Sequence, residues 1–334
     1  MSKLKTILVL LAIESAVLAL GVMGVLYFAL RPVDSTGEVK AIVVEPGMNL
    51  TRIADKLEAE GLIRDALWFR AYARYLKVDD QVRIGRYGFR TGTALDVILE
   101  KLATGDGGTR TVTIPEGLTV PEVAALLKEK ASIDSAGFVR LAFDPNFIVK
   151  AGIQAPSLEG YLFPNTYQLY TGMAPEFVLR EMTSLFQRVF KDEYKTQAEK
   201  LGYSMHEILT LASIIEQEAQ IETERETISG VFHNRLKIGI RLEADPTVQF
   251  AMGTPNVRLL KRHLTTPSPY NTYIHAGLPP GPICSPGVAS IKAALYPQKV
   301  PYLFFVARGD GSHIFSKSNR EHDEARLFVK QQQS

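Results

Sequence analysis

Ala41-Ile-Val-Val-Glu-Pro-Gly47-Met-Asn-Leu-Thr-Arg-Ile-Ala-Asp-Lys-Leu57 decides the fold class. Its apolar run is followed by a Pro-Gly turn and then by Leu50, Ile53, Ala54 and Leu57 at helical spacing. A side-chain period of two thus gives way to one near 3.6 at a glycine able to take positive φ. The pattern recurs in TVTIPEGLTVPEVAALL, from Thr111 to Leu127, where Gly117 matches Gly47 and Val120, Val123, Ala124 and Leu127 match the helix face. A weaker copy runs from Arg83 to Leu102, with Leu95, Ile98, Leu99 and Leu102 on the apolar stripe. Each copy predicts strand, glycine turn and helix, so the class is α+β. Asn49 or Thr51 caps the first helix, and Thr119, ahead of Pro121, caps the second.

N-terminal to these copies, Thr6 to Leu30 reads TILVLLAIESAVLALGVMGVLYFAL, with Glu14 its sole charge. At about 1.5 Å per residue such a run crosses a hydrocarbon layer of about 30 Å. It exceeds the apolar core of a cleaved signal peptide and is followed by Arg31-Pro32-Val33. The expectation is a cytoplasmic N-terminus at 1–5, a transmembrane helix at 6–30 and a linker at 31–40. Lys3 and Lys5 ahead of the run orient it, placing everything beyond outside the cytoplasm. Glu14 is either functional or a carboxyl that snorkels to the inner surface.

The 334 residues suggest two globular units, and 46% hydrophobic content suffices for real cores, excluding a disordered scaffold. Basic and acidic residues nearly balance at a net charge of +2, which gives no reason to expect nucleic acid. A single cysteine, Cys284, closes no intramolecular disulfide and builds no cysteine-rich metal site.

From about Leu158 the texture changes. A long amphipathic helix is expected from Pro175 to about Leu201, and a proline-rich loop fills Thr265 to Gly287. A short helix then ends at Pro297, a hairpin turns at Asp310-Gly311, and a charged helix runs from about Ser318 to Lys330. A proline-rich loop of that length is expected to shape a site.

The chemistry concentrates in ILTLASIIEQEA, Ile208 to Ala219. At about 100° per residue around Ile215, Glu218 falls roughly 60° from the centre of the apolar stripe, and Glu216 roughly 100° away on the other side. A carboxyl placed against apolar surface has its anion disfavoured, as a general acid near neutral pH requires. Periodicity alone leaves open the alternative that Glu218 pairs with Arg225. Glu216 is the other catalytic candidate, and Asp245 in EADPTVQFAMG is the nearest second acid. No HExxH, Walker loop or nucleophile elbow is present, and nothing activates Cys284.

The small βα units resemble LysM-type peptidoglycan-binding modules; a generic packing unit carries the same pattern, and Trp68 reads as a core residue of its helix. The chain as a whole resembles the endolytic murein transglycosylase, or YceG-like, family. The resemblance rests on LEGYLFPNTY (Leu158 to Tyr167), ASIIEQEA (Ala212 to Ala219), VFHNRLKIGIRLEADPTVQFAMG (Val231 to Gly253), TPSPYNTYIHAGLPPGPI (Thr266 to Ile283) and SPGVASIKAALYP. It implies a LysM-like subdomain at 41–108, a connector at 109–157 and a mixed α+β catalytic domain at 158–334 with a lysozyme-like catalytic helix. It implies Glu218 as the catalytic acid, with Glu216 and Asp245 in support. Glu159, Tyr161, Gln249, Tyr270, Asn271 and Tyr273 would bind sugar or orient the acid. The bland alternative leaves the tyrosines in the core and Asp245 capping a turn before Pro246.

The activity so implied is a lyase cutting the β-1,4 bond between N-acetylmuramic acid and N-acetylglucosamine within nascent strands, leaving 1,6-anhydro ends. It requires no cofactor and no metal. Implied partners are peptidoglycan strands, the membrane and the polymerases and transpeptidases of wall synthesis. The implied location is the inner membrane, single-pass, with a periplasmic catalytic domain. A non-catalytic peptidoglycan-binding scaffold and a hydrolytic muramidase are the competing readings.

Overall fold

The structure, a computed structural model, describes residues 31, 33, 37–105, 109–254 and 257–332. They divide into two compact units. The first comprises the described residues up to Thr111 with Gln168–Thr171; the second comprises Val112–Tyr167 with Gly172 onward.

In the first unit, β1 (Val39–Val44) leads through α1 (Leu50–Ala59) and α2 (Ala66–Tyr75) to β2 (Gly85–Arg90) and α3 (Leu95–Thr104). β1 and β2 pair antiparallel, Val39 opposite Arg90 and Val44 opposite Gly85. Their inward residues Ile42, Val44, Tyr87 and Phe89 join Ile53, Leu57, Phe69, Ile98 and Leu102 in one core. Asn49 caps α1 by accepting from the Arg52 N–H. Trp68 is half-buried on α2.

The same order follows in β3 (Thr109–Ile114), α4 (Val120–Ala131), α5 (Ser135–Ala142), α6 (Pro145–Lys150), β4 (Asn165–Tyr170) and α7 (Pro175–Val189), with β3 paired to β4. Thr119 and Glu122 form a reciprocal capping box at α4. β4, Gly172 at φ +73° and α7 make a fourth strand–glycine–helix copy that the sequence reading did not register. The expected helix from Pro175 to Leu201 is two helices, α7 and α8 (Asp192–Leu201). Phe190 turns into the core at their junction, where φ −78°, ψ 72° leaves helical geometry. Asp192 and Glu193 then restart the helix with negative charge at its positive pole.

The rest of the second unit holds α9 (Met205–Glu218), α10 (Arg225–Lys237), α11 (Asp245–Ala251), α12 (Val288–Leu295), the antiparallel hairpin β5 (Phe304–Ala307) and β6 (His313–Ser316), and α13 (Asn319–Gln332). α9 lies at its centre, buried from Ile208 through Ile215 without a break, as an interior helix must be.

The expected architecture needs correction. The sheets are small, each of two strands. Among the described residues no helix is long and apolar enough to cross a membrane. The longest, α7 at 15 residues, would span about 22 Å at 1.5 Å per residue, short of a hydrocarbon layer of about 30 Å. The transmembrane helix expected at 6–30 lies outside the described residues.

Candidate active site

Ser204 and Glu207 close a capping box that starts α9, and the helix stops at Glu218, beyond which Ala219 is extended at φ −80°, ψ 104°. Glu218 is therefore the last helical residue. It is half-buried and opens on a cavity of about 440 Å³. Burial raises its pKa to about 8; the negative charge of Asp245 adds to the rise and the Arg235 guanidinium opposes it. The negative end of the helix dipole acts in the same direction as burial. The rise favours the protonated carboxyl at neutral pH.

Asp245, first residue of α11, lines the same cavity and accepts a hydrogen bond from the Tyr273 hydroxyl at 2.6 Å. Arg235, projecting from α10, is buried and tethered. Its Nε donates to the Leu303 carbonyl (2.6 Å), and its Nη1 donates to the Arg241 and Leu242 carbonyls and the Glu243 carboxylate. Its guanidinium lies 4.9 Å from the centre of the Phe304 ring. Three consecutive helices thus place an acid, a fixed cation and a hydrogen-bonded carboxylate around one space.

The same final turn of α9 also faces a second cavity, a groove of about 640 Å³ lined by Glu116, Gly117, Glu159, Glu216, Gln217, Gln249 and Phe250 among others. Glu216 has a different environment from Glu218. Its Oε1 lies 3.5 Å from Arg225 Nη1, its Oε2 accepts from the Gly287 N–H at 2.9 Å, and both paired side chains are nearly sealed. Arg225 also bonds Glu222 and Ser290, so the partner that periodicity offered to Glu218 is taken by Glu216 and Glu222. Glu116 approaches Glu216, and its pKa is raised by burial first and by that neighbour second. The Gln217 amide donates to the Gly117 carbonyl at 2.7 Å, holding the β3–α4 turn against the end of α9.

Of the remaining expected site residues, Tyr273 joins Glu218 and Asp245, while Glu159 and Gln249 line the groove. Glu159 is buried with both carboxyl oxygens 3.1–3.2 Å from the Val120 N–H at the start of α4, and burial raises its pKa to about 8. The Gln249 amide donates to the Val257 carbonyl. Tyr161, Tyr270 and Asn271 line neither cavity. Tyr161 is a core residue whose hydroxyl meets His206 Nδ1 at 2.7 Å. Asn271 is fully buried and ties the proline-rich loop together through the Leu264 and Thr266 carbonyls and the Tyr273 N–H. Tyr270 packs on Phe250, ring centres 4.8 Å apart. Cys284 is sealed, its thiol directed at the Ser213 carbonyl, and burial holds the thiol well above its ordinary range.

The sequence reading missed Arg235, which lies inside a quoted motif but has no periodicity to mark it. It also missed His313, His322 and Arg326, which line the Glu218 cavity from the hairpin and from α13. The charged pattern of α13 reads as a solvated face.

The sequence matches the YceG-like family over residues 42–327. An endolytic murein transglycosylase of Bacillus subtilis (strain 168) is 33% identical over 314 residues, 89% of this chain and 87% of that protein. An endolytic murein transglycosylase of Streptococcus pneumoniae (strain D39) is 30% identical over 88% of this chain, which spans 59% of that longer protein. The crystal structure of a yceG-like protein of Listeria monocytogenes aligns with a TM-score of 0.60 at 32% identity, covering 86% of this chain and 99% of that one. The chain belongs to the YceG-like family.

Proposed function

We infer that this chain is an endolytic murein transglycosylase, a lyase, in which Glu218 transfers the protons. The observation that carries the assignment of Glu218 is a carboxyl at the end of a buried helix, facing a cavity, where burial pushes its pKa up to about 8. Family membership and the names of the relatives support the reaction class.

In this reading Glu218 gives its proton to the bridging oxygen between N-acetylmuramic acid and N-acetylglucosamine as the bond from that oxygen to the anomeric carbon breaks. The resulting carboxylate takes the proton of the muramyl 6-hydroxyl while that oxygen bonds to the anomeric carbon, closing the 1,6-anhydro ring. One group acts first as acid and then as base, so the protons balance without water. The substrate's acetamido oxygen can stabilise the oxocarbenium-like centre, and no protein nucleophile is needed. Arg235 favours the transient Glu218 anion, whereas Asp245 restores the preference for the acid form before the next cycle.

An internal cut requires saccharide on both sides of the acid. The groove beside Glu216 and Gln217 and the cavity beside Glu218 adjoin the same final turn of α9, which supports an endolytic mode. Glu159 and Gln249 then contact sugar in the groove and Tyr273 orients Asp245. Murein lies outside the cytoplasm, so the catalytic unit works there, next to the polymerases and transpeptidases that extend the strands and whose product length it limits.

Mass spectrometry of fragments released from purified sacculi tests the reading. Anhydro-muramyl ends from internal cuts are expected. Reducing ends would make the protein a muramidase, and the absence of any fragments would make it a binding scaffold.

A further inference from the structure

His322 is the polar group that the fold leaves unexplained at the Glu218 cavity. It lies in the first turn of α13, four residues before Arg326, and both line the cavity with Glu218, Asp245 and Tyr273. The imidazole lies nearly flat on the Phe304 ring, centres 5.3 Å apart and planes 24° apart, and the same Phe304 ring carries the Arg235 guanidinium. This stacking fixes the plane of the imidazole but satisfies neither nitrogen. Nδ1 is buried with no hydrogen-bond partner among the described residues.

Other histidines of the second unit are not left this way. His313, lining the same cavity, has Nδ1 2.7 Å from a Glu224 carboxyl oxygen. His206 meets the Tyr161 hydroxyl and the Pro280 carbonyl, and His233 meets the Ala294 carbonyl. A buried polar atom without a partner costs about 1–3 kcal/mol, and in a folded protein it calls for an explanation such as strain, a functional role or a partner that binds there. Burial, then the charges of Arg326 and Arg235, holds the imidazole below its ordinary range, so at neutral pH it is uncharged. A neutral imidazole offers one donor and one acceptor in a single plane. One of its nitrogens can accept the N–H of a secondary amide, leaving the amide carbonyl for a second donor. Arg326, tied only loosely to Asp323 at 4.0 Å, stands one helical turn away as a second donor for the carbonyl.

We propose that His322 is a substrate-recognition residue that hydrogen-bonds a secondary amide of the amino-sugar strand, with Arg326 donating to the amide carbonyl. The proposal rests on the murein reading of the Glu218 site. Two groups of such a strand carry this chemistry: the acetamido group of a hexosamine and the first peptide bond of a stem attached through the lactyl ether.

Binding to full-length protein carrying Glu218→Gln, which leaves the strand uncut, separates them by calorimetry. The probes are strands with stems, strands stripped of stems, and stripped strands that are also de-N-acetylated. His322→Phe keeps the stacking on Phe304 and is expected to weaken binding of intact strands about tenfold. His322→Gln, which restores one donor and one acceptor, is expected to recover most of it, with no melting temperature lowered. A loss confined to stem-bearing strands assigns the peptide bond; a loss that persists on stripped strands and vanishes after de-N-acetylation assigns the acetamido group. Parental binding by His322→Phe on all three probes overturns the proposal. So does equal weakening by Phe and Gln together with a fall in melting temperature, the mark of a purely structural role. Failure of the protein with Glu218 intact to release anhydro-ended fragments from strands it binds would sink the transglycosylase reading, while the binding comparison would still decide the role of His322.

Discussion

Tyr273 donates its hydroxyl proton to Asp245 across 2.6 Å at the edge of the cavity that holds Glu218. The contact joins the proline-rich loop to the first residue of α11, and it fixes a negative charge near the acid without neutralising it. Burial and that hydrogen bond in turn push the tyrosine pKa up.

Activity should fall on the alkaline side as pH rises through about 8, where Glu218 loses its proton. Asp245→Asn removes a charge that disfavours the Glu218 anion, so the fall should move to lower pH, with activity near pH 6 better preserved than at pH 8. Rates of anhydro-muropeptide release across the pH range check this. An unmoved profile would remove Asp245 from the tuning of the acid.

Glu218→Gln should lower turnover by at least the roughly 10²–10⁴-fold typical of a lost general acid–base group. It should also alter stability with a defined sign. The folded pKa near 8 lies above that of an unfolded glutamate, so the native state binds the extra proton between the two values. Wild-type stability therefore declines as pH rises from about 4.3 to 8 relative to a chain with glutamine at this position. Melting temperatures of the two proteins should diverge through that window in favour of Glu218→Gln, then run parallel above it.

Glu216→Gln should behave in the opposite way. Arg225 would lose a nearly sealed carboxylate, and breaking such a pair costs about 3 kcal/mol, reduced here because Glu222 remains bonded to the guanidinium. Thermal denaturation should show the loss, whereas kcat of the folded fraction should stay within about threefold of wild type, far from the loss expected of an acid–base group.

Gly160→Ala and Gly202→Ala share a backbone strain, since both glycines sit at φ +82°. An added Cβ at Gly160 would lie 2.4 Å from Pro282, whereas at Gly202 it meets nothing within 4 Å. Gly202→Ala should cost about 1 kcal/mol and Gly160→Ala distinctly more. Equal losses in chemical denaturation would show that Pro282 yields.

The strand–glycine–helix copies were legible because each is a local switch of hydrophobic period, and caps such as Asn49 and Thr119 are local too. The fourth copy escaped because its turn, Thr171-Gly172-Met173-Ala174, lacks the Pro-Gly or Pro-Glu-Gly signal of the first two copies and resembles instead Thr91-Gly92-Thr93-Ala94 of the weaker third. The break at Phe190 escaped because amphipathic spacing continues across it while tertiary burial of one phenylalanine interrupts the helix. Glu218 was legible as an acid lodged in an apolar stripe. Its surroundings were not, for Arg235, Asp245, Tyr273 and His322 arrive from four separate segments, and no window of sequence shows where they converge. For the same reason Tyr161 and Asn271, which share quoted motifs with surface groups, gave no sign that they brace the interior.

Because α9 is buried without a break from Ile208 to Ile215, its final turn is anchored to a stretch that opens only with the core around it. Shifting the backbone that carries the acid would mean prising the final turn of α9 from the buried turns before it. Restraint has to come from the doorway: from what covers the cavity mouths, and from which strands are presented to them.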